Sequence, residues 1–244
     1  MIRTKNVTLF GIDTVHPKRL IDAMAWSTRH VRFDDIVLLT DLRRYPDVPA
    51  HIQHGETVLP IRLVHHEESD RKVPYPRADH CPANIDYEMA SMREPCLHVR
   101  TSHMLYMESD SAICNPWAWQ QDWLNYDYVG AVWCEFRETG FPACDGDTNN
   151  VGNGGFSLRS VKYCEATRKA TDLFEDDPAI ICSDIWPCIN KRTWLESQGI
   201  RFAPEHVAVK FSCENMPYFG QFGAHGRWTF ELNNWGGRFA KFRP

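Results

Sequence analysis

The decapeptide Met104–Ile113, MLYMESDSAI, is an apolar run that stops on Glu108, Ser109 and Asp110. Two carboxylates one residue apart point to the same side of an extended backbone and can share a hard cation. Mg²⁺ or Mn²⁺ held there could also hold a diphosphate and neutralise its charge as a bond to it breaks. A solvated strand end, or an acid capping a helix, explains the same tripeptide without any ion. A second stretch, VGNGGFSLRS at Val151–Ser160, carries Gly152, Gly154 and Gly155, and glycine lets a backbone turn tightly and approach a ligand with no Cβ in the way. It is not a phosphate-binding P-loop, since no Gly-Lys-Ser follows, and its glycine spacing is not that of the dinucleotide-binding fingerprint. A plain hairpin bend also fits it.

These residues need elements to position them. Asn6–Ile12 (NVTLFGI), Asp35–Thr40 (DIVLLT) and Val58–Val64 (VLPIRLV) read as buried strands, and Pro17 opens a helical pattern with Leu20, Met24 and Ser27 on one side. Helical spacing returns over Asp86–Glu94, MLYME forms the next strand, and Asn115 with Pro116 should start a helix carrying Trp117, Trp119, Trp123 and Leu124. Asp127–Trp133 (DYVGAVW) reads as a further strand, and Ser160 as the cap of a helix beginning VKYCEATRK. The stretch from His65 to Ala83, rich in charge and proline, reads as a loop or flap. Such β-α-β order predicts an α/β protein with a mostly parallel central sheet flanked by helices, and ligands beyond the carboxyl ends of its strands. Glu108 and Asp110 would then stand at the mouth of that crevice.

With 244 residues, 43% of them hydrophobic, the chain can bury a full core, and one domain is expected. The net charge of −5 supplies no general field for polyanions. The nine cysteines are scattered and odd in number, with no Cys-x-x-Cys knuckle, so buried thiols are expected in place of disulfides or structural zinc. The apolar run Val7–Ile12 is too short for a signal sequence, and nothing later approaches a membrane span.

Taken together, TSHMLYMESDSAI, WLNYDYVGAVW, VGNGGFSLRS, SDIWPCINKRTWLESQGIRFAPEHVAVKFSCE and FGAHG resemble a family of bacterial and viral glycosyltransferases of GT-A type. The likeness runs from Val7 to His225 with the motifs in family order, and VGNGGFSLRS is its most specific part. The resemblance implies a single GT-A-like domain, with a nucleotide-binding half at 1–64, a metal, sugar and acceptor half at 84–225, and an aromatic, basic tail at 226–244. It implies a UDP-sugar-type donor, a hexose transferred to a hydroxyl, Mn²⁺ or Mg²⁺ as cofactor, and work in the cytoplasm of a bacterial or virus-infected bacterial cell.

The family pattern assigns residues as well. Asp110 falls on the family's metal-binding aspartate. Glu108 stands where relatives usually carry Gln, which leaves its place as a direct ligand open. His225 in FGAHG matches a late histidine that serves as a further metal ligand, unless its role is structural. Asp184 falls on an acidic pair whose partner is here Ser183. In an inverting enzyme an aspartate there takes the acceptor's proton, a task suited to a partly buried carboxyl with a raised pKa; capping the following helix is the alternative. Asp13, Thr14 and Asp41 follow the first two strands, where the nucleoside would lie, and each could equally be a turn residue. Asn153, Gly154 and Gly155 should line the sugar or acceptor side, and Arg159 could offset phosphate charge or serve a structural salt bridge.

The acceptor is the least specified part. Arg227, Arg238, Lys241 and Arg243 interleave with Trp228, Trp235, Phe239 and Phe242 in the tail, a pattern that can hold phosphates and stack on bases. The alternative acceptor is therefore a hydroxymethylated pyrimidine of DNA. A non-catalytic carbohydrate-binding module is the alternative of another class, and it would not need both Asp110 and Asp184.

Overall fold

The computed structural model describes residues 1–67, 72–73, 83–133, 150–177, 180, 182–214, 216–226 and 229. Its centre is a six-stranded sheet built from β1 (Val7–Ile12), β2 (Asp35–Thr40), β3 (Arg62–His65), β4 (His103–Met107), β6 (Tyr128–Val129) and β7 (Phe156–Ser160), in the order β6-β7-β4-β1-β2-β3. The strands β4, β1, β2 and β3 run parallel, while β7 is antiparallel to both β4 and β6. The sheet is thus mostly parallel, and β4 lies directly against β1 so that both parts of the chain share it.

Alternation along these strands sorts their side chains onto two faces. Leu9, Leu38, Leu105, Met107 and Phe156 meet Leu20, Ile21 and Met24 of helix α1 (Pro17–Ser27) on one face. Phe10, Val37, Leu39, Met104 and Tyr106 meet Ala90 of α2 (Ile85–Arg93) and Tyr163 and Cys164 of α3 (Val161–Leu173) on the other. Each such buried side chain stabilises the fold by roughly 1.5–3 kcal/mol before ordering costs. Both faces being covered explains why the strands read as unbroken apolar runs. The hydroxyl of Ser160 accepts from the Tyr163 N–H at 3.0 Å and starts α3 as its sequence implied.

Three expected elements come out differently. VLPIRLV is not one strand: Thr57–Pro60 pairs back on His51–His54 as a hairpin, and only Arg62–His65 joins the sheet, because proline cannot donate to a continuing ladder. The helix expected after Asn115 is replaced by two 3₁₀ turns, Pro116–Ala118 and Gln121–Asn125. The Asn115 side chain makes no cap there and donates instead to the Gly220 carbonyl at 3.0 Å, while Trp119 and Trp123 turn inward against Phe222. DYVGAVW contributes only Tyr128 and Val129 to the sheet, after which Ala131–Trp133 bonds to Asn150–Gly152.

A second, three-stranded sheet builds the site. In it β5 (Ser111–Ile113) pairs antiparallel with β9 (Gly223–His225), and β8 (Ser212–Cys213) runs parallel to β9. Most of the segment 65–83 and nearly all of the aromatic, basic tail, including Arg227, Trp228, Trp235, Arg238, Phe239, Lys241, Phe242 and Arg243, lie outside the described residues. No helix among the described residues is long and apolar enough to cross a membrane. The described cysteines, Cys96, Cys114, Cys164, Cys182, Cys188 and Cys213, are all thiols.

Candidate functional site

β4 ends at Met107, and the chain turns at once. The Ser111 N–H donates to the Glu108 carbonyl at 3.1 Å, closing a tight turn over Ser109 and Asp110. Glu108 and Asp110 therefore do not sit on one side of an extended strand; a turn, not strand alternation, lets them converge. The turn is pinned from below by the Gly155 carbonyl, which accepts from the Glu108 N–H at 2.9 Å and the Ser111 hydroxyl at 2.5 Å. The register of the small sheet brings the third member: Ser111 faces His225, so the histidine arrives beside Asp110. Its Nε2 lies 3.4 Å from Glu108 Oε2 and 3.3 Å from Asp110 Oδ1.

Glu108, Asp110 and His225 form a group that could hold a metal ion, each offering one ligand atom, all within 4.8 Å of one another. Neighbouring ligand positions around a Mg²⁺-sized ion lie about 3 Å apart, so the separations fit one ion touching all three. Two carboxylates with one imidazole suit a cation of Mg²⁺ or Mn²⁺ type, the imidazole favouring Mn²⁺. Burial by itself would lower the pKa of His225, but the charge of Asp110 and hydrogen bonds to Asp110, Glu108 and Glu214 hold it well above its ordinary value. A proton on the ring thus balances the same acids that a cation would.

The glycine motif is the clamp of this assembly. A Cβ on Gly155 would sit 2.1 Å from His225 Nε2, so only glycine lets the ring lie there. The Gly154 N–H donates to Asp184 Oδ2 at 3.1 Å, and the Gly154 carbonyl accepts from Arg159 Nη2 at 2.9 Å. Gly154 and Gly155 therefore join Asp184 on one side to Glu108 and His225 on the other.

Two residues of the motif named for the donor or acceptor side lie in the core. Asn153 is 1% exposed and faces inward: held at φ +70°, its Oδ1 accepts from the Phe156 N–H at 3.3 Å and its Nδ2 donates to Glu214 Oε2. Arg159, read as offsetting phosphate charge or serving a structural salt bridge, is 2% exposed, stacks 4.2 Å over the Tyr106 ring, and spends its guanidinium on the Gly154 and Ser91 carbonyls and the Ser157 hydroxyl. Arg159 is buried because β7 is an interior strand of the sheet, and Asn153 is held inward in the turn that precedes it.

Asp184 Oδ1 accepts from the Ile185 N–H at 2.6 Å and the Cys182 thiol at 2.7 Å. Burial pushes the carboxyl of the nearby Glu88 up to about 7; it accepts the Ser183 N–H at 2.6 Å and is raised further by the charges of Asp184 and Glu108. Beyond the ends of β1 and β4 lies a cavity of about 240 Å³ lined in part by Asp13, Thr14, Tyr87, Glu108 and Ser109. Asp13 Oδ1 accepts from the Val15 and His16 N–H groups at 2.9 and 2.6 Å and so shapes that rim. Asp41 makes the matching turn after β2 with Arg43 and Arg44, and does not line this cavity.

Tyr87, Glu88 and Glu214 went unnoticed in the sequence. The Tyr87 hydroxyl donates to Glu108 Oε1 at 2.8 Å and Glu214 Oε1 lies 3.1 Å from His225 Nδ1. No local pattern marks them, since each reaches the site only through helix packing or strand register.

A mostly parallel sheet between helices, with an acidic turn and a late histidine meeting at the end of a central strand, defines a GT-A-like fold. Solved structures agree. The galactosyltransferase LgtC in complex with donor and acceptor sugar analogs superposes with a TM-score of 0.57 over 97% of this chain and 94% of its own, at 13% identity. An active-site mutant of LgtC gives 0.56 over the same shares, also at 13% identity. In sequence, the family described as "Protein of unknown function (DUF5672)" matches residues 96–226, more than half of the chain, and the protein belongs to that family. No curated protein matches it in sequence.

Proposed function

We propose that the protein is a divalent-metal-dependent glycosyltransferase that moves a hexose from a UDP-sugar-type donor to a hydroxyl acceptor. The observation that carries this reading is the meeting of Glu108, Asp110 and His225 beside the cavity at the ends of β1 and β4, on a GT-A-like fold. A divalent cation held by that group would neutralise charge on the departing nucleoside diphosphate. Asp13 and Thr14 form the wall against which the nucleoside would rest.

Asp184 is assigned the acceptor's proton. Among the described residues its Oδ2 has one hydrogen-bond partner, the Gly154 N–H, and a carboxylate oxygen has two lone pairs, so one remains for a hydroxyl. The Ile185 N–H and the Cys182 thiol hold the other oxygen and fix the plane of the group. As the acceptor oxygen bonds to the anomeric carbon, the bond from that carbon to the diphosphate oxygen breaks, its electron pair leaves with the diphosphate, and the hydroxyl proton passes to Asp184. This single displacement inverts the anomeric centre.

A thermal-shift screen of nucleotide sugars with and without Mn²⁺, followed by donor hydrolysis, tests the reading. Stabilisation by a UDP-sugar that requires Mn²⁺ is expected. Asp110→Ala should abolish hydrolysis and transfer while the protein stays folded. Wild-type rates in that variant, or undiminished turnover in chelator, would reject the metal role.

A further inference from the structure

The three-stranded sheet sets three side chains in a row. Ser111 of β5 faces His225 of β9, and Cys213 of β8 faces Ala224, so Asp110 and Glu214, each just outside its strand, fall on opposite sides of the histidine. Nε2 faces Asp110 at 3.3 Å and Nδ1 faces Glu214 at 3.1 Å. Glu214 is itself held, because its other oxygen accepts from the side-chain amide of Asn153. Asn153 is fixed in turn by Phe156, through its side-chain oxygen, and by the Tyr128 hydroxyl, which donates to its backbone carbonyl at 2.7 Å.

We infer that Glu214, braced by Asn153, is a positioning residue that sets the affinity of the site for a divalent cation by orienting His225. The inference rests on the metal reading above and concerns a residue outside the ligand group. An imidazole that gives its Nε2 lone pair to a cation carries its proton on Nδ1. That N–H needs an acceptor. Among the described residues two groups lie within reach of Nδ1, the Glu214 carboxylate at 3.1 Å and the Asn153 amide nitrogen at 3.1 Å, and of these the carboxylate can accept. Glu214 thereby selects the tautomer and ring orientation that present Nε2 to Glu108 and Asp110, and hydrogen bonding to a carboxylate makes the ring a stronger donor. Asn153, the asparagine of the glycine motif, contributes to cation binding from two bonds away without touching the ion.

The test is Mn²⁺ titration of the full chain, without nucleotide, followed by the electron paramagnetic resonance of free aqueous Mn²⁺. Removing an outer partner of a metal-bound histidine typically weakens binding by about 10–100-fold, and Glu214→Ala is expected in that range. Glu214→Gln keeps an acceptor oxygen and should recover most of the loss. In a His225→Ala background there is no ring to orient, so Glu214→Ala should change Mn²⁺ affinity no further. The same fold-loss in both backgrounds would mean that Glu214 acts only as a distant negative charge, and would overturn the inference. So would wild-type affinity in Glu214→Ala. Absence of Mn²⁺ binding by the wild-type chain would instead sink the metal reading and this one with it. Should Glu214→Ala fail to fold, Glu214→Gln in the two backgrounds makes the same comparison, a smaller loss being expected only where His225 is present.

Discussion

Replacing Gly155 by alanine adds one methyl group at the point where the whole site meets. The added Cβ would lie 2.1 Å from His225 Nε2, 2.4 Å from Cδ2 and 2.5 Å from Cε1. Ordinary contacts of a methyl carbon lie at about 3.5–4.0 Å, so the ring must recede by roughly 1.5 Å. It has little room to do so, because β9 is bonded on both sides by β5 and β8, and Nδ1 lies against Glu214. The φ angle of Gly155 is not in the left-handed region, so the penalty is steric and not conformational. Overpacking of this kind costs about 1–3 kcal/mol of stability. A shift of that size also takes Nε2 out of reach of a cation shared with Glu108 and Asp110, and loss of one ligand of three should weaken Mn²⁺ binding by at least about tenfold, or about 1.4 kcal/mol. Gly154→Ala is the control next door: its Cβ would lie 3.2 Å from Asp184 Cβ and 3.4 Å from Arg159 Nη2, which a few tenths of an ångström of movement relieves. Thermal denaturation of the metal-free proteins, Mn²⁺ titration and nucleotide-sugar hydrolysis together measure both effects. Wild-type Mn²⁺ affinity in Gly155→Ala, or equal damage from Gly154→Ala, would refute the close packing of the ring on the motif.

Arg159→Met should destabilise the protein by at least about 3 kcal/mol, since hydrogen bonds from a charged donor are worth about 1.5–3 kcal/mol each and three are lost. Differential scanning calorimetry should show the melting temperature falling by about 6–12 °C, whereas a phosphate-binding arginine would weaken donor binding and leave the melting temperature alone. Glu88 supplies a pH dependence. Its pKa is raised in the folded protein from 4.5 to about 7, so the folded state holds a proton that the unfolded state has lost between those values. Stability of the metal-free protein should therefore fall as pH rises from 4.5 to 7, by up to about 3 kcal/mol. Glu88→Gln should flatten that part of the urea-denaturation profile; an unchanged slope would show that another group sets it.

The sequence by itself determined the layered α/β plan. Strands buried on both faces must be apolar along their whole length, and DIVLLT and HMLYM show it without any knowledge of their neighbours. Ser160 as a helix cap was equally legible, because a cap is a local hydrogen bond. Glu108, Asp110 and His225 could be named as candidates through their family likeness, and Asp13 and Thr14 as strand-end residues, but how they meet could not be read. That depends on the Glu108–Ser111 turn and on the register Ser111 to His225, which joins positions more than a hundred residues apart. Contacts between distant segments decided much of the rest. They hold Asn153 and Arg159 as buried braces and draw Tyr87, Glu88 and Glu214 into the site from segments with no motif of their own. Periodicity and caps act over a few residues and are written in the chain; a site at the crossing of two sheets exists only once both sheets have formed.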